Sequence, residues 1–138
     1  MTLKNTDNAL IKIENRQTDD GNSDVIKTEY NGRFYENNGK FYIMYKEDSG
    51  VSCMIKIDKN VITVNRKGGA SSVMICEEEA VHNFLYHTQY GAIQMSVQTN
   101  KLFYELDGNG GKIRLKYVLN VNGGHIENDM DITVKRNI

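Results

Sequence analysis

The chain contains no proline. Its turns must therefore be built by Gly, Asn and Asp, which favours tight hairpins over rigid extended loops. Cysteine is scarce, with only Cys53 and Cys76. A secreted barrel stapled by disulfides carries more of them, at paired spacings. Both cysteines lie in strand-like runs beside apolar residues and read as reduced, buried thiols. No apolar run approaches the length needed to cross a bilayer. The first ten residues, MTLKNTDNAL, lack the apolar segment and cleavage site of a secretory signal. The expectation is a cytoplasmic protein with no membrane partner. Charge of one sign is not in excess either: residues 1–69 carry 11 basic and 10 acidic groups, and residues 70–138 carry 6 and 8. Nucleic-acid binding driven by phosphate neutralisation is disfavoured.

What is present suits one domain over residues 1–138, with residues 1–8 polar and frayed. The hydrophobic share is 39% and the mean hydropathy −0.55, so a core has to be assembled from alternating strands rather than solid apolar blocks. Ile11 and Ile13 alternate with Lys12 and Glu14 in a first strand over 9–18. A loop at 19–23 leads to a second strand over 24–36, broken near Asn31-Gly32, where a bulge is expected. Asn38-Gly39 is the clearest hairpin signal, because the tight turn needs positive φ at both central positions. Strands follow over 41–47, 51–58, 61–66 and 71–77. In the 51–58 strand, Val51, Cys53, Ile55 and Ile57 share one face. The cleanest alternation is over 112–121, where Ile113, Leu115, Tyr117, Leu119 and Val121 face inward. A last strand spans 125–135. Residues 77–85, with an acidic first turn, compete as a short helix.

Turn signals recur about every ten residues, the cadence of antiparallel strands joined by hairpins. The predicted fold is all-β: an antiparallel up-and-down barrel of eight to ten strands, with a β-sandwich as the alternative.

The stretch over 84–99, FLYHTQYGAIQMSVQT, is taken as the back of this barrel, continued over 102–106. Its aromatics Phe84, Tyr86 and Tyr90 and its Thr88 occupy even positions, whereas Ile93, Met95, Val97 and Thr99 occupy odd ones. A regular strand cannot send both sets to one face. A register change at Gly91 resolves the conflict and turns all three rings inward.

With these residues in view, the chain resembles the YwiB-like family of small bacterial proteins of unknown function. The matching features are Gly32 with Phe34-Tyr35, Gly39-Lys40-Phe41-Tyr42 leading to Tyr45 and Glu47, and Arg66-Lys67-Gly68. Further along come Tyr86 with Tyr90-Gly91, Thr99, and Gly111-Lys112-Ile113-Arg114-Leu115 with Tyr117. The resemblance implies a lipocalin-like (calycin-type) barrel and brings no known activity.

The candidate ligand-binding residues are Arg66, Tyr45, Glu47, Tyr86, Thr88, Tyr90 and Tyr117. If Ile62 and Val64 face inward, so does Arg66, whose guanidinium can grip a carboxylate or phosphate in bidentate fashion. The competing reading pairs Arg66 with Glu47 and plugs the barrel. The tyrosines combine a broad apolar face with one hydroxyl and suit a small amphipathic ligand, or else simply fill the core.

No metal or cofactor is expected: His82 and His87, five apart on a strand, face opposite ways, and His125 is distant. The Gly108–Lys112 segment lacks the spacing and the hydroxyl of a phosphate loop and reads as a turn. No nucleophile elbow or Cys/His motif occurs. Three functions remain. One is a non-enzymatic barrel binding a small, partly apolar ligand, an anionic one where Arg66 is its anchor. Another is a solid interaction protein that forms a homodimer. An enzyme using the Tyr/Glu/Arg cluster is a third.

Overall fold

The computed structural model describes residues 7–137. Ten strands follow one another: β1 (Ala9–Asp19), β2 (Asn22–Asn37), β3 (Lys40–Lys46), β4 (Ser52–Asp58), β5 (Val61–Lys67), β6 (Ser72–Glu77), β7 (Val81–Thr88), β8 (Gly91–Asp107), β9 (Gly110–Val121) and β10 (Gly124–Arg136). No helix occurs among the described residues, and so none is long and apolar enough to cross a membrane. The acidic run ends β6 at Glu77 and links it to β7 through residues 78–80 instead of starting a helix.

Three turns have both central residues at positive φ: Asp20-Gly21 (50° and 80°), Asn38-Gly39 (54° and 80°) and Asn122-Gly123 (51° and 80°). This mirror-image turn matches the right-handed twist of the flanking strands, so each strand folds straight back on its predecessor. The expected loop at 19–23 therefore shrinks to two residues, with Asp19 opposite Asn22.

The strands form one antiparallel sheet in the order β6-β5-β4-β3-β2-β1-β10-β9-β8-β7. β1 and β10 pair over the whole of β1, from Ala9 opposite Arg136 to Asp19 opposite Ile126. Ends and beginnings of the sheet then approach at β6 and β7, where Ser71 and His87 exchange backbone hydrogen bonds of 2.9 and 2.8 Å. At the far end of the same junction, Glu79 donates to the Thr99 carbonyl at 2.8 Å. The result is a nearly closed up-and-down barrel, the architecture the alternation predicted.

Several local expectations are corrected. β2 is not broken at Asn31-Gly32: it pairs with β1 as far as Gly32 and with β3 from Arg33 onward. The glycine is required because a Cβ there would overlap the Met44 carbonyl oxygen and lie 2.7 Å from Ile11 Cδ1. A register shift occurs instead between Thr99 and Lys101, where β8 passes from β7 to the 78–80 link. Asn8 is not frayed. Its side chain accepts from the Phe34 amide (2.8 Å) and donates to the Phe34 carbonyl (3.0 Å); residues 1–6 of that expectation lie outside the described residues.

The stretch over 84–99 is two strands, not one. Thr88 pairs with Gly91 across a two-residue turn, Gln89-Tyr90. Such a turn always sets an even position opposite an odd one, so Phe84 faces Met95 and Tyr86 faces Ile93 on the same inner side. Phe84 packs against the core and Tyr86 is half-buried, as expected, but Tyr90 is 92% exposed at the turn.

The barrel interior has two unlike halves. The lower half, toward the Asn38-Gly39 turn, is filled. Ile11, Phe34, Ile43, Ile57, Ile62 and Val97 are fully buried there, and the Phe34 and Phe41 rings stack at 5.9 Å. Both free cysteines are buried, as the sequence predicts. The upper half, toward Asp20-Gly21, Gln89-Tyr90 and Asn122-Gly123, is hollow.

Candidate functional site

The hollow half encloses a cavity of about 420 Å³. At roughly 30 Å³ per liquid water this is on the order of a dozen water volumes, far more than a packing defect. Ile13, Ile55 and Ile132 form its floor, and Ile26, 48% exposed, stands at its rim.

One wall carries an ion pair. Alternation brings Arg66 inward beyond Ile62 and Val64 on β5, and β4 sets Cys53 between it and Tyr45 on β3. Arg66 Nη2 donates to Glu47 Oε1 at 2.6 Å. The pairing expected as the alternative for these two residues is therefore present, yet it does not plug the barrel, since both side chains line the cavity. Burial lowers the affinity of the Arg66 guanidinium for its proton, but the hydrogen bond and charge of Glu47 outweigh it, so the pKa is raised and the cation persists. Arg66 Nε is buried and has no partner within the protein.

Three ionisable groups near the pair, Tyr45, Cys53 and Tyr117, are held neutral by burial. Burial pushes the Tyr45 hydroxyl well above the usual phenol range, with the adjacent Cys53 adding to the shift. Tyr117 is raised for the same first reason, and the Cys53 thiol is raised by burial. Tyr30, which the sequence reading missed, stacks on Tyr45 with ring centroids 4.6 Å apart.

The opposite wall is built by β1 and β10, and it too escaped the sequence reading. Asn15 and Gln17 both donate to Asn128 Oδ1 at 3.1 Å, while Asn128 Nδ2 donates to the Ile126 carbonyl at 3.1 Å. Asn15 is only 8% exposed, lines the cavity, and its Oδ1 has no partner within the protein. A polar residue at an inward position of an otherwise alternating strand was the available signal: Asn15 follows Ile11 and Ile13 on the same face.

Of the seven expected residues, the cavity gathers Tyr45, Glu47, Arg66, Tyr86 and Tyr117. Thr88 and Tyr90 are not among them. Thr88 Oγ1 accepts from the Tyr90 amide at 3.1 Å and donates to the Gly91 carbonyl at 3.0 Å, closing the β7–β8 turn. A threonine hydroxyl that bonds two residues ahead is a turn device, and it carries Tyr90 out of the barrel. His82 Nε2 lies 3.1 Å from Glu77 Oε1, and His87 is exposed.

Comparison with known proteins follows the same outline. The chain is 27% identical over 106 residues to the uncharacterized β-barrel protein YwiB of Bacillus subtilis (strain 168), which covers 75% of each sequence. It superposes on the crystal structure of the ywiB protein from Bacillus subtilis with a TM-score of 0.87 at 24% identity, over 96% of this chain and 93% of that one. Residues 11–132 match the domain of unknown function DUF1934, and the chain belongs to that family.

Proposed function

We propose that the protein is a non-enzymatic, cytoplasmic barrel that binds a small, partly apolar ligand inside its upper half, in a lipocalin-like manner. The observation that carries this reading is the cavity of about 420 Å³, within the size range of small-molecule sites and lined mainly by apolar and aromatic side chains with a few convergent polar groups. A non-catalytic role is favoured by the inner tyrosines and thiols. Burial moves Tyr45, Tyr117 and the Cys53 thiol away from neutral pH, which leaves them poor acids, bases and nucleophiles. Native mass spectrometry of gently purified protein tests the reading. A retained species of a few hundred daltons, lost on mild activation, is the expected result. An apo mass alone, with no uptake of neutral amphipathic probes, would overturn it.

A second reading, self-association, is favoured by the outside of the β6–β7 junction. Val73, Val81 and Leu85 are 47%, 59% and 48% exposed there, beside strand edges joined by a single antiparallel bridge. Light scattering with Leu85→Lys separates the two readings. A dimer abolished by the substitution favours association, and a monomer at all concentrations removes it.

A further inference from the structure

β2 is longer than its partner on one side can cover. Its lower part pairs with β3 from Arg33 to Asn37, and its upper part pairs with β1 from Asn22 to Gly32. No described strand lies on the other side of residues 22–31. The two-residue turns fix which backbone groups are left there. Asn22 closes the Asp20-Gly21 turn opposite Asp19, so Asn22, Asp24, Ile26, Thr28 and Tyr30 exchange their backbone hydrogen bonds with β1. Ser23, Val25, Lys27, Glu29 and Asn31 aim amide and carbonyl at the free side, just as Arg33, Tyr35 and Asn37 below them aim theirs at β3.

A regular edge of this length is a template for another strand. Its register with β1 is unbroken, and it exposes Val25 and Ile26 at 41% and 48%. Its charges, Asp24, Lys27 and Glu29, are of both signs and oppose a partner only in particular registers.

Run antiparallel, this edge complements itself. A twofold axis through Ile26 sets Val25 opposite Lys27 of the second copy and Ser23 opposite its Glu29, each pair able to exchange two hydrogen bonds. On the inner face Ile26 meets Ile26 and Asp24 meets Thr28, so no like charges are opposed. An axis through Asp24 or Lys27 would set that charge against itself. The Asp20-Gly21 turn of the second copy then ends level with Gly32, just short of the Arg33–Met44 pair where β3 takes over. Twofold pairing also consumes both edges at once and leaves none to propagate.

We propose that the protein dimerises by joining the upper halves of β2 edge to edge, antiparallel, about Ile26. Because Ile26 lines the cavity at its rim, each copy supplies one side chain to the rim of the other's cup. The pairing stands whether or not the cup holds a ligand.

Light scattering and amide exchange test it on the whole chain. The contact is smaller than a standard interface, so half-dimerisation is expected near about 100 µM. Lys27→Pro removes an edge-directed amide and none that bonds β1. It should weaken the dimer about tenfold or more while the melting temperature holds. Lys27→Ala, which keeps the amide, and Leu85→Lys, at the β6–β7 junction, should leave the dimer intact. In the unaltered protein the amides of Val25, Lys27 and Glu29 should exchange more slowly as concentration rises, with Ile26 and Thr28 protected throughout.

A monomer at every concentration up to about 1 mM would overturn the proposal. So would a dimer that survives Lys27→Pro in protein that melts normally, or one abolished by Leu85→Lys, which would place the contact at the β6–β7 junction. A dimer whose Val25, Lys27 and Glu29 amides exchange as fast as in the monomer overturns it without any substitution. Slow exchange of those amides in a protein that scatters as a monomer would assign the edge to another occupant and overturn it too.

Discussion

Below the level of Ile13 and Ile55 the barrel is packed solid, and above it the same strands surround a cavity of about 420 Å³. The difference lies in the side chains that each half sends inward. The lower half uses mostly β-branched residues and phenylalanine: Ile11, Ile43, Ile57, Ile62, Val97, Ile113 and Phe34. Such residues have few rotamers and interdigitate densely. The upper half uses Met74, Met95, Met130, Asn15, Gln17 and half-buried tyrosines. These are long and adaptable, or carry polar atoms that must find partners, and they do not close the space. A single sheet with a single alternation thus yields a rigid base and a hollow cup.

Truncation measures that contrast most directly. Phe34→Ala in the base should cost about 3–5 kcal/mol in urea unfolding, whereas Met74→Ala in the cup should cost less than about half as much, because Met74 already borders empty space. Equal losses would mean that the cup is as tightly packed as the base.

A smaller but still large effect is expected at Gly32, where β2 passes closely over the Met44 carbonyl oxygen. Gly32→Ala should destabilise by about 1–3 kcal/mol, since backbone must move to admit a methyl group. The same change at Gly39 meets no neighbouring atom, and its cost comes from the positive φ alone.

The base also predicts a pH dependence. Burial pushes the Cys76 thiol from 9.0 up to about 11, against a smaller opposing effect of Thr99. The folded state keeps a proton that the unfolded chain releases, so this contribution to stability is complete below pH 9 and is lost as the pH rises from 9 to 11. The loss is on the order of 2–3 kcal/mol. Urea midpoints at pH 8 and 10.5, compared between the unaltered protein and Cys76→Ala, isolate it. The variant should show the shallower decline, and parallel declines would place the thiol in a wetter setting than the base provides.

The mildest change is expected from filling the cup. Val64→Phe projects into the cavity and should alter stability by no more than about 1 kcal/mol. In the base, Val97→Phe should cost several times that. A large loss at Val64 would show that the cup cannot absorb volume.

The contrast also marks what could be read in advance. Alternation at 51–58 and 112–121 announced inward faces, and Asn38-Gly39 announced its turn, because both rest on the period of two and on local φ requirements. The pairing of Arg66 with Glu47 was reachable from the same alternation. The 84–99 stretch was misread at its centre. A parity change has two causes, a bulge within one strand or a two-residue turn between two, and the Gln89-Tyr90 turn lacks the Asn-Gly or Asp-Gly signature that would have decided between them. Thr88 and Tyr90 were consequently assigned to the interior. The Asn15–Asn128 wall was missed because its two strands are 113 residues apart.

The sequence by itself determined a sheet of short antiparallel strands with one apolar face, since side-chain alternation and turn chemistry are local and act on each hairpin separately. Only the tertiary structure decided that β1 meets β10, that the sheet nearly closes, and that one half of the interior fills while the other stays open. Those outcomes depend on the summed shapes of side chains arriving from ten strands at once, and no local stretch of the chain contains that sum.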